Sequence, residues 1–375
     1  MLENSFKFLF LNYWRSLDKK IFFCFLILFF LGLFFSFSST SFLAGERLNK
    51  NYYFFFSKHL VFTFLALIIM FVISIIKTEF LIKLVIPLFI ISFCLLVMVS
   101  ISGVEVKGAQ RWIDIYFFRL QPIEILKPFF ILVTVKILTS EKFKNSQLKY
   151  FFSFVILASV IILLIDQPDL GQSILLIVSW TAVVFISGVS LVLIFIFFSI
   201  FSIFLSSLLY FLPEKFGYII NRLITFFDPS QGDKFQSSSA LEAIKLGGLT
   251  GQGMGEGILK DSVPEAHTDY VIAVISEEFG SLVTIMIIII FLYISYRIIK
   301  NCFRQENQFL KISLSGLATL LIFQTFIHAG VNTNLIPTTG MTLPFLSYGG
   351  SSLIGSAILA GLVLNYTKNK SYLYD

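Results

Sequence analysis

Charged residues are scarce in this chain of 375 residues, in which Asp, Glu, Lys and Arg together make up 13% and hydrophobic residues make up 57%. Soluble domains contain about a quarter charged residues. The composition therefore excludes an ordinary water-soluble enzyme, a disordered chain and a coiled coil. With a mean hydropathy of +0.89, most of the chain is expected to lie in a bilayer.

Several motifs that carry chemistry in other proteins are also missing. The three cysteines and three histidines have neither CxxC nor HExxH spacing, so a metal site built by the protein is not expected. The sequence has no GxSxG, which argues against a serine hydrolase. The glycine-rich stretch 247–257 lacks the lysine of a nucleotide-binding loop, which disfavours an ATP-driven pump.

Long apolar runs dominate the sequence instead. A helix needs about 20 apolar residues to cross a hydrocarbon core, and residues 21–43 supply such a run without an ionisable side chain. This run is too long for a cleaved signal peptide. The runs together predict an all-α polytopic membrane protein with ten transmembrane helices. The predicted spans are 21–43, 54–76, 79–101, 121–139, 148–165, two within 172–212 that meet near Gly188, 271–296, 311–330 and 348–367.

The positions of lysine and arginine predict the orientation. Sixteen of the 28 lie in segments that are cytoplasmic if the N-terminus is inside, and cytoplasmic loops are rich in these residues, so the N-in/C-in topology is favoured. Residues 1–20 and 368–375 would then be the cytoplasmic ends of a single membrane domain, 1–375. Nine of the other twelve cations fall in two outer segments, 103–127 and 213–270. The net charge of +6 therefore requires no nucleic-acid partner.

The outer segments carry most of the polar chemistry. Residues 213–270 form a large extracytoplasmic loop before the eighth span, and a loop of this length is usually functional. Residues 103–120 mix basic and aromatic side chains, which predicts an amphipathic segment in the membrane interface, although an aromatic anchor is the more ordinary explanation. The Pro- and Gly-rich run 332–352 is typical of a broken-helix packing motif or of the wall of a substrate cavity.

Three ionisable groups cluster around the start of the fourth span. Glu124 and Lys127 lie three residues apart on one predicted helix and can pair, which makes their immersion in the membrane tolerable. Arg119 lies shortly before them. We therefore expect the three groups to converge near the outer mouth, where two outward-facing cations would suit a diphosphate head group.

Acidic residues near the predicted outer surface have both structural and functional explanations. Asp169 can cap a helix or complete a turn. Asp269 can cap the eighth span, or it can act as a general base if neighbouring carboxylates such as Glu265 and a partly dry surrounding raise its pKa. Glu277 and Glu278 are explained better as buried structural groups than as catalytic ones.

Three stretches of the sequence together resemble one family. KGAQRWIDIYFFRLQPIEILKP (107–128), DQPDLGQS (166–173) and the block 233–352 are similar to the SEDS polymerases, the FtsW/RodA/SpoVE family. The resemblance covers nearly all of the chain and includes the ten-span topology. Within the family, PEAHTD (264–269) and PTTGMTLPFLSYGGSS (337–352) are more similar to the cell-division branch than to the elongation branch.

The resemblance implies a peptidoglycan glycosyltransferase that polymerises lipid II on the periplasmic side of the bacterial inner membrane, at the division septum. The implied partners are a class B penicillin-binding protein and other membrane proteins of the division machinery. Asp269 is implied as the catalytic base, and Arg119 and Lys127 as residues that handle the substrate. Positions that match further functional residues of the family less closely are Arg111, Glu124 and Asp169. No organic cofactor is implied, and a divalent cation, Mg²⁺ or Mn²⁺, is compatible with the chemistry.

Two other functions stay open at this point. A lipid II flippase would use interior charges and broken helices as a translocation path. A scaffold without catalytic activity would act by stimulating the penicillin-binding protein. The unusual polar residues crowd the predicted outer rim rather than the midplane, which favours the glycosyltransferase over the flippase.

Overall fold

The computed structural model of the protein describes residues 11–40, 53–106, 109–116, 118–143, 145–211, 213–227, 235–258 and 266–369. Parts of some predicted segments lie outside the described residues. These parts are the first ten residues of the N-terminal tail, the end of the first span (41–43), residues 107–108 and 117 of the outer segment, residues 212, 228–234 and 259–265 (among them Glu265), and the C-terminal tail from 370 onward.

Helices make up most of the described chain, as the apolar runs predict. A π-helical turn, Ser36–Thr40, extends the first helix. The helices are α1 (Lys19–Phe35), α2 (Phe54–Ile75), α3 (Thr78–Ser102), α4 (Pro122–Leu138), α5 (Ser146–Asp166), α6 (Leu170–Ile186), α7 (Leu191–Phe211), α8 (Pro213–Phe227), α9 (Phe235–Gly247), α10 (Val271–Phe279), α11 (Ser281–Cys302), α12 (Gln308–Asn332) and α13 (Gly350–Tyr366).

Each of the ten predicted spans overlaps at least one described helix, and the protein is a polytopic membrane protein. Six of the described helices, α1 with its π-helical turn, α2, α3, α5, α11 and α12, are long and apolar enough to cross a membrane. Helices α6 and α13 and the first part of α7 are apolar but shorter, and α4 carries ionisable side chains. The number of ten crossings and the N-in/C-in orientation therefore stay predictions.

The described residues of the outer segment 103–120 form a small antiparallel sheet, which the all-α fold class did not include, although most of the described chain is helical. Its strands are β1 (Val104–Val106), β2 (Ala109–Ile115) and β3 (Phe118–Leu120), in the order β1-β2-β3. In the register of β2 and β3, Asp114 lies opposite Arg119. β-Branched and aromatic residues such as Trp112, Ile113 and Ile115 favour a strand, because they pack well on a pleated surface.

The eighth predicted span, 271–296, is broken into two helices. Helix α10 ends at Phe279 and α11 begins at Ser281. Gly280 between them has φ +86°, a left-handed conformation that glycine adopts without steric penalty. Helix α10 is therefore a separate short helix of nine residues, and the chain just before it is joined to the loop that precedes α13 by the hydrogen bond from Tyr348 N to His267 O, at 2.9 Å.

The glycine-rich stretch folds back against this break and satisfies its backbone groups. Such pairing is required where irregular backbone is buried away from water. Four backbone hydrogen bonds join the two segments: Ser281 N to Gly248 O (3.0 Å), Leu282 N to Leu249 O (3.3 Å), Gln252 N to Glu277 O (2.9 Å) and Gly253 N to Glu278 O (3.0 Å).

Close approach between the two backbones explains the glycines better than a flexible hinge does. A Cβ atom at Gly247 would lie 1.9 Å from the carbonyl oxygen of Ser276, and one at Gly251 would lie 2.3 Å from that of Glu278. Glu277 and Glu278 are buried, as expected. The Glu277 carboxylate accepts a hydrogen bond from the backbone N–H of Ile258 at 2.7 Å, so it holds the end of the glycine-rich stretch.

A methyl group at position 247 should therefore destabilise the protein. We expect Gly247→Ala to lower the free energy of unfolding by roughly 2 kcal/mol, the usual scale of overpacking, because the methyl group collides with backbone that cannot rotate away. The matched control is Gly217→Ala on α8, where a Cβ atom would meet no other atom within 4 Å. Thermal unfolding of both variants in detergent measures the difference. Equal midpoints would show that the two segments are not closely packed.

Candidate functional site

A polar cavity of about 370 Å³ lies beside the small sheet, at the end of the bundle that the predicted topology places outside. Its wall includes residues of the sheet, of α8 and α9, of the segment before α10 and of the loop between α12 and α13. The charged and amide side chains that line it are Arg111, Arg119, Gln121, Arg222, Gln236 and Asp269. The cavity therefore brings Asp269 together with Arg111 and Arg119, two of its sequence-predicted partners.

The backbone that carries Asp269 is fixed by α12 and the loop that follows it. Asp269 lies two residues before α10, and three successive carbonyl groups around it accept hydrogen bonds. The three hydrogen bonds run from Tyr348 N to His267 O (2.9 Å), from Ser347 Oγ to Thr268 O (2.6 Å) and from Asn332 Nδ2 to Asp269 O (3.0 Å). The Asp269 side chain reaches the cavity from a rigid support.

Asn332 links this segment to two helices. Its side chain is fully buried. Its amide Nδ2 also donates to the carbonyl of His328 at 2.8 Å, and its Oδ1 accepts from the backbone N–H of Ala273 on α10 at 3.0 Å. One amide side chain thus connects α12, the Asp269 carbonyl and the first turn of α10.

Arg111 on β2 is held by the turn before α6. Its guanidinium donates to the carbonyl oxygens of Gln167, at 3.2 Å, and of Pro168. Its Nε lies 3.7 Å from Oδ2 of Asp169. The Asp169 side chain also accepts from the backbone N–H of Gln172 at 3.4 Å and caps α6. Burial raises the pKa of Asp169, and Arg111 acts in the opposite direction. Asp169 therefore serves both as a helix cap and as the partner of Arg111.

Gly340 leaves open a space that borders both the guanidinium of Arg111 and the carboxylate of Asp269. A Cβ atom at this glycine would lie 3.2 Å from Nη1 of Arg111 and 3.6 Å from Oδ2 of Asp269. The glycine has φ +70°, which disfavours any other residue. A cation and a carboxylate thus face the same small volume, in which a substrate hydroxyl and an anionic group could lie side by side.

Glu124 and Lys127 pair on α4, as their spacing predicts. Lys127 Nζ lies 2.8 Å from Glu124 Oε2 and donates to Gln324 Oε1 at 3.0 Å. Gln172 Nε2 donates to Glu124 Oε1 at 2.7 Å. Both charged side chains are about 3% exposed, and neither is among the residues that line the cavity.

The expected convergence of three ionisable groups at the outer mouth is therefore only partly seen. Arg119 lines the cavity, whereas the Glu124–Lys127 pair lies in the protein interior. The reason is geometric, because each residue of a helix rises by about 1.5 Å and α4 leads away from the sheet. Gln121 provides the connection, since its Nε2 donates to Asp169 Oδ2 at 3.4 Å.

Among the described residues, no group of three or more His, Cys, Asp and Glu side chains is placed to hold a metal ion. The described residues that line the cavity include one carboxylate, Asp269. A divalent cation in this cavity would therefore take most of its oxygen ligands from its substrate, because Mg²⁺ and Mn²⁺ bind mainly oxygen atoms.

Comparison with known sequences assigns the family. A sequence profile described as "Cell cycle protein", covering FtsW, RodA and SpoVE, matches residues 18–372. The chain belongs to the FtsW/RodA/SpoVE family. Relatives named "Probable peptidoglycan glycosyltransferase FtsW" include one from Caulobacter vibrioides, 30% identical over 96% of this chain and 92% of the relative. Another, from Wigglesworthia glossinidia brevipalpis, is 34% identical over 90% of each chain.

Solved structures of two similar proteins share the fold of this FtsW/RodA/SpoVE chain. One is a chain of a peptidoglycan synthase complex, described as coordinating polymerization and crosslinking, with a TM-score of 0.77 at 24% identity over 96% of this chain and 100% of the other. The second is the rod shape determining protein RodA of Thermus thermophilus, with a TM-score of 0.69 at 24% identity, covering 94% of this chain and 97% of the other.

Sequence reasoning missed two residues of the site in this family member. Arg222 lies on α8, inside the segment that was predicted to be a loop, and its Nη1 donates to the carbonyl of Thr338 at 3.2 Å. The signal available was the amphipathic pattern of residues 213–227, which predicts a helix that presents one polar face. Asn332 gave no such signal, because its partners are distant in sequence.

We expect Asn332→Ala to lower the turnover of this FtsW/RodA/SpoVE protein by about tenfold to a hundredfold. The substitution frees the carbonyl of Asp269 and the first turn of α10, and a shift of about 1 Å at a reacting group can reduce the rate a hundredfold. The matched control is Asn301→Ala, which removes a buried amide bonded to Asp18 at 2.8 Å away from the cavity. Specific activity per folded molecule is measured for both. If both variants lose the same activity, Asn332 does not position Asp269.

Proposed function

We propose that the protein is a peptidoglycan glycosyltransferase that polymerises lipid II into β-1,4-linked glycan strands during septal wall synthesis. The observation that carries this proposal is the placement of Asp269 and Arg111 around the same open space beside Gly340, in a cavity that Arg119 and Arg222 also line. A general base beside several cations is what transfer from a diphosphate-linked sugar requires. The names of the relatives support the same activity.

In the proposed reaction, the 4-hydroxyl oxygen of one lipid II sugar attacks the anomeric carbon of a lipid-linked glycan. A new C1–O4 bond forms, and the bond between C1 and the diphosphate oxygen breaks. The hydroxyl proton passes to the carboxylate of Asp269, and the electron pair of the broken bond leaves with the diphosphate. Because the donor linkage is α and the product is β, one inversion suffices.

The cations of the cavity would balance the charge that develops on the departing diphosphate. Arg119 lines the cavity, and Arg111 presents its Nη1 toward Gly340. We propose a different route for Lys127, Glu124 and Asp169. Their contacts with Gln121, Gln172 and Gln324 fix the relative positions of α4, α6 and α12. The three charged residues would therefore affect the substrate by positioning Arg111 and the cavity wall.

A divalent cation is a further part of the proposal. It would bind chiefly to the diphosphate, with Asp269 as the carboxylate in reach. Polymerisation measured with added Mg²⁺ or Mn²⁺ and with EDTA tests this directly. Activity that is unchanged by EDTA would assign the whole neutralisation of the diphosphate to the arginines.

The setting of the proposed reaction is the inner membrane of a bacterium, with the cavity facing the periplasm. We propose that the partners are a class B penicillin-binding protein, which would crosslink the new glycan, and other membrane proteins of the division machinery. The similarity of the sequence to relatives named FtsW supports the division role. Localisation of a fluorescent fusion to midcell, rather than along the cell wall, tests it.

The experiment that tests the activity uses the purified chain with its penicillin-binding partner and purified lipid II. The expected result is glycan polymer that depends on the chain and persists when the transpeptidase is blocked with a β-lactam. Absence of polymer, with both proteins folded and in complex, would overturn the proposal.

A lipid II flippase is the alternative that a specific observation favours, because the buried Glu124–Lys127 pair and the break at Gly280 place polar groups inside the bundle. It predicts movement of the lipid II head group across vesicles without glycan product. Stimulation of the transpeptidase by a chain that makes no polymer would instead indicate a scaffold.

A further inference from the structure

Arg222 is a cation on the cavity wall that has no individual role in the reaction proposed above. It lies on α8, and its Nη1 donates to the carbonyl of Thr338 at 3.2 Å. Its Cζ atom lies 5.9 Å from the ring centroid of Tyr218. Together these contacts orient the guanidinium toward the loop that carries Gly340.

The position of α8 is itself fixed. The hydroxyl of Tyr218 donates to the carbonyl of Ile165, near the end of α5, at 2.9 Å. Burial raises the pKa of Tyr218 to about 12, so the hydroxyl keeps its proton at neutral pH and remains a donor. Arg222 therefore projects from an anchored helix turn rather than from a solvated loop.

The charges around the two guanidinium groups are not balanced equally. Arg111 has a carboxylate oxygen of Asp169 at 3.7 Å. Arg222 has none within 4.0 Å among the residues that the structure describes. Burial and the nearby positive charge of Arg111 both lower the pKa of Arg222, while Asp169 and Asp269 act in the opposite direction. The two guanidinium groups repel each other in a partly buried cavity, and a bound anion that contacts both of them offsets this repulsion.

We propose that Arg222 and Arg111 form the subsite for the diphosphate of the donor, the lipid-linked glycan whose C1–O bond breaks; this inference rests on the function proposed above. Arginine suits the role because its planar fork donates two parallel hydrogen bonds to phosphate oxygens. Lys127, another sequence-predicted cation, is already paired with Glu124 inside the bundle, and Arg119 lines the same cavity as a further cation. We assign the subsite to the donor because negative charge accumulates on its diphosphate as the C1–O bond breaks. Fixed cations are most effective where charge develops.

The first test compares polymerisation by the complete complex carrying Arg222→Gln, Arg222→Lys or Lys58→Gln. Lys58 is an exposed cation on α2 that does not line the cavity, so its variant loses the same charge elsewhere. We expect Arg222→Gln to lower kcat/KM about a hundredfold, the scale of losing one donor to a developing anion. Arg222→Lys should recover part of the loss, and Lys58→Gln should retain full activity.

Binding of inorganic diphosphate provides a measurement that does not depend on turnover. The probe is added to each protein in nanodiscs of zwitterionic lipid, and the thermal midpoint is recorded. The wild type and Lys58→Gln should be stabilised, whereas Arg222→Gln should show no shift while its midpoint without the probe stays unchanged. A parallel series with phosphatidylglycerol in the nanodiscs measures any effect of ordinary lipid phosphate.

The outcomes separate this inference from the proposed function. If the wild type makes polymer and Arg222→Gln makes it at the same rate, or if diphosphate stabilises both equally, the Arg222 subsite is wrong and the activity stands. Stabilisation by phosphatidylglycerol without stabilisation by diphosphate would also overturn the subsite. If the wild type makes no polymer but binds diphosphate through Arg222, the glycosyltransferase function and the assignment to a donor both fail, and only a diphosphate-binding site at Arg222 stands.

Discussion

Asp269→Asn should reduce the proposed glycan synthesis by about a thousandfold while leaving the protein folded, inserted and bound to its proposed penicillin-binding partner. The amide has nearly the shape of the carboxylate but cannot accept the proton of the attacking hydroxyl, and loss of a general base typically lowers a rate by about 10² to 10⁴. The backbone hydrogen bonds from Asn332, Ser347 and Tyr348 do not involve the carboxylate, so the segment should stay in place. Gel analysis of the polymer made from lipid II measures the effect.

The matched control is Glu105→Gln, on β1 of the small sheet, which removes one exposed carboxylate that does not line the cavity. It should retain nearly full activity. Polymer made by Asp269→Asn at a rate close to that of the wild type would remove Asp269 from the mechanism. It would also leave the cavity without an assigned base among the described residues that line it.

Lys127→Met should destabilise the protein by about 3 to 5 kcal/mol, because it leaves the Glu124 carboxylate buried without its cation. Glu124 would keep the hydrogen bond from Gln172, which is insufficient for an isolated charge in an apolar surrounding. The double variant Glu124→Gln with Lys127→Met should recover most of the lost stability, since its amide remains a good partner for Gln172. Thermal or denaturant unfolding in detergent measures all three proteins.

Activity measurements on the same variants decide how Lys127 contributes. If the double variant is both stable and active, the pair is structural and the diphosphate is bound elsewhere. If the double variant is stable but polymerises lipid II no faster than Lys127→Met, the charge itself acts on the substrate. If the single and double variants lose the same stability, the attraction between Lys127 and Glu124 does not offset the cost of burying their charges.

The membrane helices could be predicted from the sequence because the thickness of a bilayer sets one simple requirement on length and hydropathy. The Glu124–Lys127 pair could be predicted for a similar reason, since residues three apart on a helix are neighbours. The break at Gly280 could not, because residues 271–296 contain apolar runs on both sides of the glycine and the hydrogen bonds that stabilise the break come from residues 248–253.

The candidate site was predictable only in part. Asp269 and Arg119 could be selected from the sequence by their family motif. The clamp on Asp269 depends on contacts between residues 63 and 79 positions apart in the chain, and no local pattern reports such contacts. The small sheet was missed because basic and aromatic residues in 103–120 suit an interfacial segment of either secondary structure. Arg222 was missed because residues 213–270 were predicted as a functional loop, without the helix Pro213–Phe227 that directs this side chain to the cavity.

The break at Gly280 has a consequence for how high above the membrane the reaction takes place. Helix α11 alone has 22 residues, a length of about 33 Å, which already covers a hydrocarbon core of roughly 30 Å. The nine residues of α10 add at most about 14 Å, so they can raise Asp269 out of the hydrocarbon to the level of head groups. In the proposed reaction, a sugar carried on a diphosphate would then reach the Asp269 carboxylate while its lipid tail stays in the hydrocarbon.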